Sequence, residues 1–262
     1  MSAAPASGER VVAVVPARMG STRFPGKALA LLDGIPIIVH VLRRAKAAKS
    51  VQRVIAAVDD ERIAAAAREA GFEAVMTRLD HVNGTSRIAE VAATLHCDFV
   101  VNVQGDEPCL EPQLIDQAVA ALDDAGREVP VSTIASPFMP GENPADPNIV
   151  KVVVGANGRA LYFSRALIPF QRDASSQAVA PLKHVGLYVY RRPFLPTFVL
   201  MPSTALERTE SLEQLRILEN GYDIAVAIGE AHSHGVDTPE QLAALAARMA
   251  QAPPPPRKRS AT

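Results

Sequence analysis

The 262-residue chain is 48% hydrophobic and carries a formal net charge of −1, a balance that suits one large α/β domain and excludes the basic footprint that phosphate neutralisation on nucleic acid requires. No run of about twenty uninterrupted apolar residues occurs, so no membrane-spanning helix is expected, and the leading MSAAPASGER has neither a basic nor an apolar signal region. Cys97 and Cys109 are too few for a disulfide framework and lack the Cys/His company that zinc needs, so both are expected to pack as small hydrophobes in a cytoplasmic, reducing setting.

The chain then alternates between strand and helix patterns. VVAVVP (11 to 16) precedes a glycine-bearing loop and the helical PIIVHVLRRAKAAKS; RVIAAVDD (53 to 60) precedes ERIAAAAREAG; EAVMT precedes GTSRIAEVAATL; DFVVNVQGDEP (98 to 108) precedes LEPQLIDQAVAAL. Four βα units in series predict a doubly wound, mostly parallel nucleotide-binding sheet whose ligands sit at the carboxyl ends of the strands. After about residue 130 the rhythm changes. VSTIASP, NIVKVVV, ALYFSR and HVGLYVYRR read as strands without helices between them, predicting a mixed or antiparallel extension, an inserted β-rich lobe for dimerisation, about 131 to 203. One helix over 205 to 221, a short strand DIAVAIG and a final amphipathic helix return to the core through residue 250. Residues 1 to 9 and QAPPPPRKRSAT (251 to 262) are expected to be tails, so residues 10 to 250 form the single domain, with 10 to 130 as its nucleotide-binding half.

The loop after the first strand, ARMGSTRFPGKAL, combines Arg18, Arg23 and Lys27 with Ser21 and two glycines. A turn of this composition presents backbone N–H groups and cations to an anion, although it is neither the P-loop pattern nor GxGxxG. In VQGDEP, Asp106 ends a buried strand where one carboxylate can hold a hard cation, Gln104 shares its face, and Glu107 is expected to point elsewhere. Asp237 in GVDTPEQL reads as a second such carboxylate, as a plain helix cap before Thr-Pro, or as both at once.

The blocks PARMGSTRFPGKAL, MTRLDHVNGTSRIAEV, VNVQGDEP, NPADPNIVKVV, ALYFSRALIP, KHVGLYVYRR, LEQLRILENG and GVDTPEQL resemble, in order across residues 11 to 245, the 3-deoxy-manno-octulosonate cytidylyltransferases, or CMP-Kdo synthetases. The resemblance implies that CTP and the eight-carbon sugar acid Kdo give CMP-Kdo and diphosphate, with Mg²⁺, for lipopolysaccharide assembly, in a cytoplasmic homodimer. It implies Ala17, Arg18, Ser21, Arg23, Lys27, Arg78 and Gln104 at the nucleotide, with Lys27, Arg18, Asp106 and Asp237 as the catalytic set and the two aspartates at the metal. Gln104, Arg165, His184, Glu213 and Gln214 are implied at the sugar. Asp80 and His81 are given no catalytic role. Ser86, Lys183 and Ala205 stand where such sequences often carry other residues, which leaves the sugar's identity, including an 8-amino analogue, open. A non-catalytic nucleotide-binding module and an enzyme for another acid sugar are the alternatives.

Overall fold

The β-branched run Val11–Ala17 forms β1, buried along its whole length because both faces of the strand are covered. The computed structural model describes residues 9–20, 23–173, 179–232 and 235–251. Ser21 and most of both expected tails lie outside the described residues. After β1, a short 3₁₀ turn at Lys27–Leu29 and the hairpin β2 (Leu31–Leu32) and β3 (Ile35–Pro36) lead to α1 (Ile37–Ala47). Then follow β4 (Arg53–Val58), α2 (Glu61–Glu69), β5 (Glu73–Met76), α3 (Gly84–Ala92), β6 (Phe99–Val103) and α4 (Pro112–Asp124). The remainder comprises β7 (Val131–Pro137), β8 (Lys151–Val154), β9 (Ala160–Ser164), β10 (Leu182–Arg191), α5 (Phe194–Leu200), α6 (Ala205–Glu210), α7 (Leu215–Glu219), β11 (Ile224–Ile228) and α8 (Pro239–Gln251).

Among the described residues the main sheet has nine strands, with the central order β11-β7-β10-β6-β1-β4-β5. β1 pairs in parallel with β4 and β6, β4 with β5, and β7 with β11, whereas β10 runs antiparallel between β6 and β7. The fold is therefore the doubly wound, mostly parallel α/β sheet that the alternating pattern predicts. One face packs on α1, α2, α4 and α8 through residues such as Val15, Ile38, Ile63 and Leu114; the other packs on α3, α5 and α7 through Val14, Ile88, Phe198 and Ile217.

The structure departs from the sequence reading in three places. The lobe expected over about 131 to 203 is not set apart: β7 and β10 lie inside the main sheet, and only β8 and β9 extend from it. A helix, α5, follows β10 where none was expected; Pro196 falls in its first turn, where a missing N–H removes no hydrogen bond. The single helix expected over 205 to 221 is two, because Ser211 adopts a left-handed conformation (φ 52°) that ends α6.

Candidate active site

The sheet opens where its winding reverses. β1 stays paired with β4 through Ala17 and Val58, but its pairing with β6 stops at Val14 and Asn102, so the carboxyl ends of β1 and β6 diverge. The chain beyond β6 still folds back against β1, and only glycine permits it: a Cβ on Gly105 would lie 2.5 Å from the Pro16 carbonyl oxygen. This approach fixes Gln104 and Asp106 opposite the loop that leaves β1. In open α/β sheets such a reversal is where ligands bind.

Two joined cavities occupy this place. The first, about 650 Å³, is lined by Ala17, Arg18, Arg23, Lys27, Gln104 and Asp106, with Thr85 and Glu213 on its far wall. The second, about 610 Å³, is lined by Glu107, Arg165, Lys183, His184 and the start of α8. Arg23, Asp106 and Asp237 belong to both.

At that shared wall the Lys27 ammonium donates to Asp106 Oδ2 at 2.7 Å and to Asp237 Oδ1 at 3.0 Å, and Arg23 Nη2 lies 3.1 Å from Asp237 Oδ2. Two carboxylates 131 positions apart thus converge on one cation. Lys27 is brought there by Gly26, whose left-handed φ of 72° turns the chain into the 3₁₀ segment. Asp237 is not the helix cap. Thr238 caps α8: its Oγ1 accepts from Gln241 N at 3.3 Å, while Gln241 Oε1 accepts from the Thr238 and Asp237 amides, a reciprocal capping box with Pro239 in the first turn. The Asp237 carboxylate is left to face Lys27 and Arg23.

Glu107 lines the second cavity and not the first. Burial, reinforced by repulsion from Asp106, Glu111 and Asp237, pushes its carboxyl up to about 8, so it is largely protonated at neutral pH. His184 is half-buried at the wall of the second cavity, and desolvation drives it down to about 3, so its imidazole is neutral. Its Nε2 lies 2.9 Å from Thr133 Oγ1. The same Thr133 hydroxyl also reaches the Leu187 carbonyl at 2.7 Å and the Val185 carbonyl at 3.3 Å. Phe163 packs edge-on against the ring at 5.0 Å.

The expected sugar set is divided between the cavities. Arg165 and His184 line the second, Gln104 and Glu213 the first, and Gln214 lines neither, being buried where α7 begins. Arg165 is a brace as much as a grip, since its Nε donates to the Glu210 carbonyl (2.7 Å) and its Nη1 to that of Pro147 (3.0 Å). Glu213 accepts from Asn83 Nδ2 (2.8 Å) and Thr85 Oγ1 (3.1 Å) at the start of α3; burial nevertheless raises its pKa. The break at Ser211 is what turns Glu213 toward α3. Arg78 is not brought into the cleft. It follows β5, the outermost strand on its side, and its mostly exposed side chain lies beside Asp80 and Glu90. His81 lines the first cavity and is held by Glu90 and Ser86.

Sequence reasoning missed Asp59, Arg87, Asn83 and Thr85. The available signal was Arg87 itself, a charged residue four positions before Val91 on the apolar stripe of its helix.

A reversed sheet edge, a cation-lined loop and two convergent aspartates define a nucleotidyltransferase site. Residues 12–224 match the cytidylyltransferase family, and the chain belongs to it. It is 48% identical over 245 residues to a 3-deoxy-manno-octulosonate cytidylyltransferase of Syntrophobacter fumaroxidans, covering 92% of this chain and 98% of the relative. It is 50% identical over 241 residues to the protein of the same name from Pelobacter propionicus, covering 88% and 94%. Among solved structures it is similar to CMP:2-keto-3-deoxy-manno-octonic acid synthetase complexed with CTP, with a TM-score of 0.86, 42% identity and coverage of 92% of this chain and 99% of that one.

Proposed function

We propose that this enzyme transfers a cytidylyl group from CTP to 3-deoxy-manno-octulosonate, giving CMP-Kdo and diphosphate for lipopolysaccharide assembly. The observation that carries the reading is the Lys27 ammonium held between Asp106 and Asp237 at the wall shared by two cavities. Two reactants need two compartments that meet at the reacting phosphorus, and this wall is where they meet. The sugar hydroxyl attacks the α-phosphorus, its oxygen forms the new P–O bond, the bond to the bridging α–β oxygen breaks, and the proton leaves with solvent.

Arg18, Arg23 and Lys27 neutralise the departing diphosphate, where negative charge grows in the transition state. Asp106 and Asp237 would hold a magnesium ion: one or two carboxylates completed by phosphate oxygens suit that ion, and their convergence on an ammonium shows that the pair already accommodates a cation. The ion's charge would offset the charge that builds at the α-phosphoryl oxygens. His184 lines the second cavity as a neutral imidazole, and Arg165 makes that cavity favourable for a sugar carboxylate, whereas the Lys183 ammonium is already paired with Glu142 Oε1 at 2.6 Å.

Two further features belong to this reading. Leu161 on the outlying strand β9, with Leu167, Phe170 and Val179 in the chain that follows, exposes apolar surface (Phe170 is 86% exposed) that a second copy of the chain would cover. Light scattering at micromolar concentration tests this homodimer, and a monomer would refute it. No helix among the described residues is long and apolar enough to cross a membrane, which suits a cytoplasmic enzyme acting on soluble substrates.

The deciding assay follows diphosphate release with CTP, UTP or ATP against Kdo, its 8-amino analogue or a sialic acid. CTP with Kdo is expected to dominate. Equal kcat/KM across the nucleotides would refute the cytidylyl assignment, release only with a sialic acid would refute the sugar, and CTP binding without turnover would identify a non-catalytic module.

A further inference from the structure

The loop that carries Arg18, Arg23 and Lys27 leaves the sheet at the end of β1, and three positively charged residues on a free loop would repel one another. The structure shows what restrains them. Met19 N–H donates to Asp59 Oδ1 at 2.9 Å, and Met19 C=O accepts from Gly26 N at 3.2 Å, so the two peptide units that flank the Met19 Cα at the head of the loop are each held. Asp59 immediately follows β4, beside the end of β1 in the parallel register that pairs Ala17 with Val58.

Its second oxygen, Oδ2, accepts from Arg87 Nη2 at 3.0 Å, and Arg87 Nη1 donates to Thr77 Oγ1 at 2.6 Å. Thr77 in turn bonds the Val58 carbonyl through both its amide (2.8 Å) and its hydroxyl (3.0 Å). Arg87 is 3% exposed, and the Asp59 side chain 10%. A buried ion pair of this kind is poor evidence of stabilisation, because desolvation offsets most of the attraction. Its value here is directional: Arg87 leaves Asp59 one oxygen to offer and aims it at the Met19 amide.

We infer that Asp59 is a positioning residue for the reaction, acting through the Met19 peptide to hold the cationic loop against the nucleotide phosphates, with Arg87 fixing its orientation. This rests on the cytidylyltransferase reading. It predicts an effect on one substrate only, because the loop meets the diphosphate, whereas Arg165 and His184 lie on the far side of the shared wall.

Removing Asp59 alone would strand the buried Arg87 charge, so the comparison uses two neutral double variants. In Asp59→Asn with Arg87→Met, the amide carbonyl can still accept from Met19; in Asp59→Ala with Arg87→Met, nothing can. Calorimetric titration with CTP is expected to give a Kd about tenfold weaker for the Ala pair than for the Asn pair, in the range of one hydrogen bond to a fixed acceptor, with the KM for Kdo the same in both. Equal CTP affinities would overturn the inference, as would a sugar KM that rises in step. CTP that binds neither variant nor the wild-type protein would refute the nucleotide reading itself. Amide hydrogen exchange at Met19 in the wild-type protein checks the same bond without any variant: protection is expected, and exchange at the free-peptide rate would overturn it.

Discussion

Asp237→Asn separates a carboxylate that works from one that merely supports the fold. The substitution keeps the side-chain shape and removes one charge. It spares the start of α8, because Thr238 and Gln241 form the cap. Lost are the charge contributions to Lys27 at 3.0 Å and to Arg23 at 3.1 Å. The Asp237 side chain is 36% exposed and that of Arg23 69%, so solvent screens the second pair heavily, and exposed pairs contribute only about 0.2–1 kcal/mol. The Lys27 pair is better shielded on the lysine side, but an amide oxygen still accepts from the ammonium. The net loss of stability is therefore about 1 kcal/mol or less, a fall in Tm of about 2–4 °C for a chain of this size. Activity should respond on another scale. If Asp237 holds a cation against the phosphates, its loss should lower kcat/KM about 10²-fold or more, about 3 kcal/mol of transition-state stabilisation. Thermal unfolding and diphosphate release on the same preparation decide the matter. Near-normal turnover, or a loss of activity explained by a Tm drop of ten degrees or more, would refute the reasoning.

If Lys27 neutralises the departing phosphates as proposed, Lys27→Ala should lower kcat/KM for CTP by about 2–4 kcal/mol while the KM for Kdo scarcely changes; steady-state kinetics with each substrate varied in turn checks the split. Glu107→Gln should stabilise the chelator-treated protein increasingly as pH rises. The folded carboxyl, raised to about 8, holds its proton where the unfolded chain has released it, so the wild type loses stability between about pH 4.5 and 8, by up to about 1.4 kcal/mol per pH unit, and the amide does not. Denaturant titrations at pH 5 and pH 8 measure this. His184 acts in the opposite sense: its folded pKa is depressed to about 3, so stability falls as pH drops below about 6.5, and His184→Gln should flatten that limb of the profile.

The sheet was readable because its strands are buried on both faces and spell runs rich in valine, as in Val11–Val15 and Phe99–Val103. The cationic loop and the Asp106 turn were readable because glycines and charges cluster at strand ends. Elsewhere the deciding fact was not local. Nothing in ALERTESLEQLRILENG marks Ser211 as left-handed, since serine has no special affinity for that conformation and tertiary packing imposes it. That Asp237 does not cap α8 could be seen only from Thr238 and Gln241 occupied with each other. Arg78 sat in a matching block, yet the loop after an outermost strand faces water. Asp59 reads as a helix-start residue beside Asp60, and its bond to Met19 requires the parallel neighbour that only the topology supplies.

β10 bears on how the enzyme can move. Residues Leu187–Arg191 bond to β6, Leu182–Val185 and Tyr188–Tyr190 to β7, and Leu182 and Lys183 also to β8. One end of this strand carries His184 and Lys183, and the other lies beside the strand that delivers Gln104 and Asp106. A beam fastened along both edges does not bend like a hinge, so the two cavities are stiffly coupled; if they seat the two substrates as proposed, the sheet sets the spacing between attacking oxygen and phosphorus. On that reading, admission and release fall to the rim of the cleft. Turnover limited by such small rim motions would depend little on solvent viscosity compared with an enzyme that must swing one domain onto another.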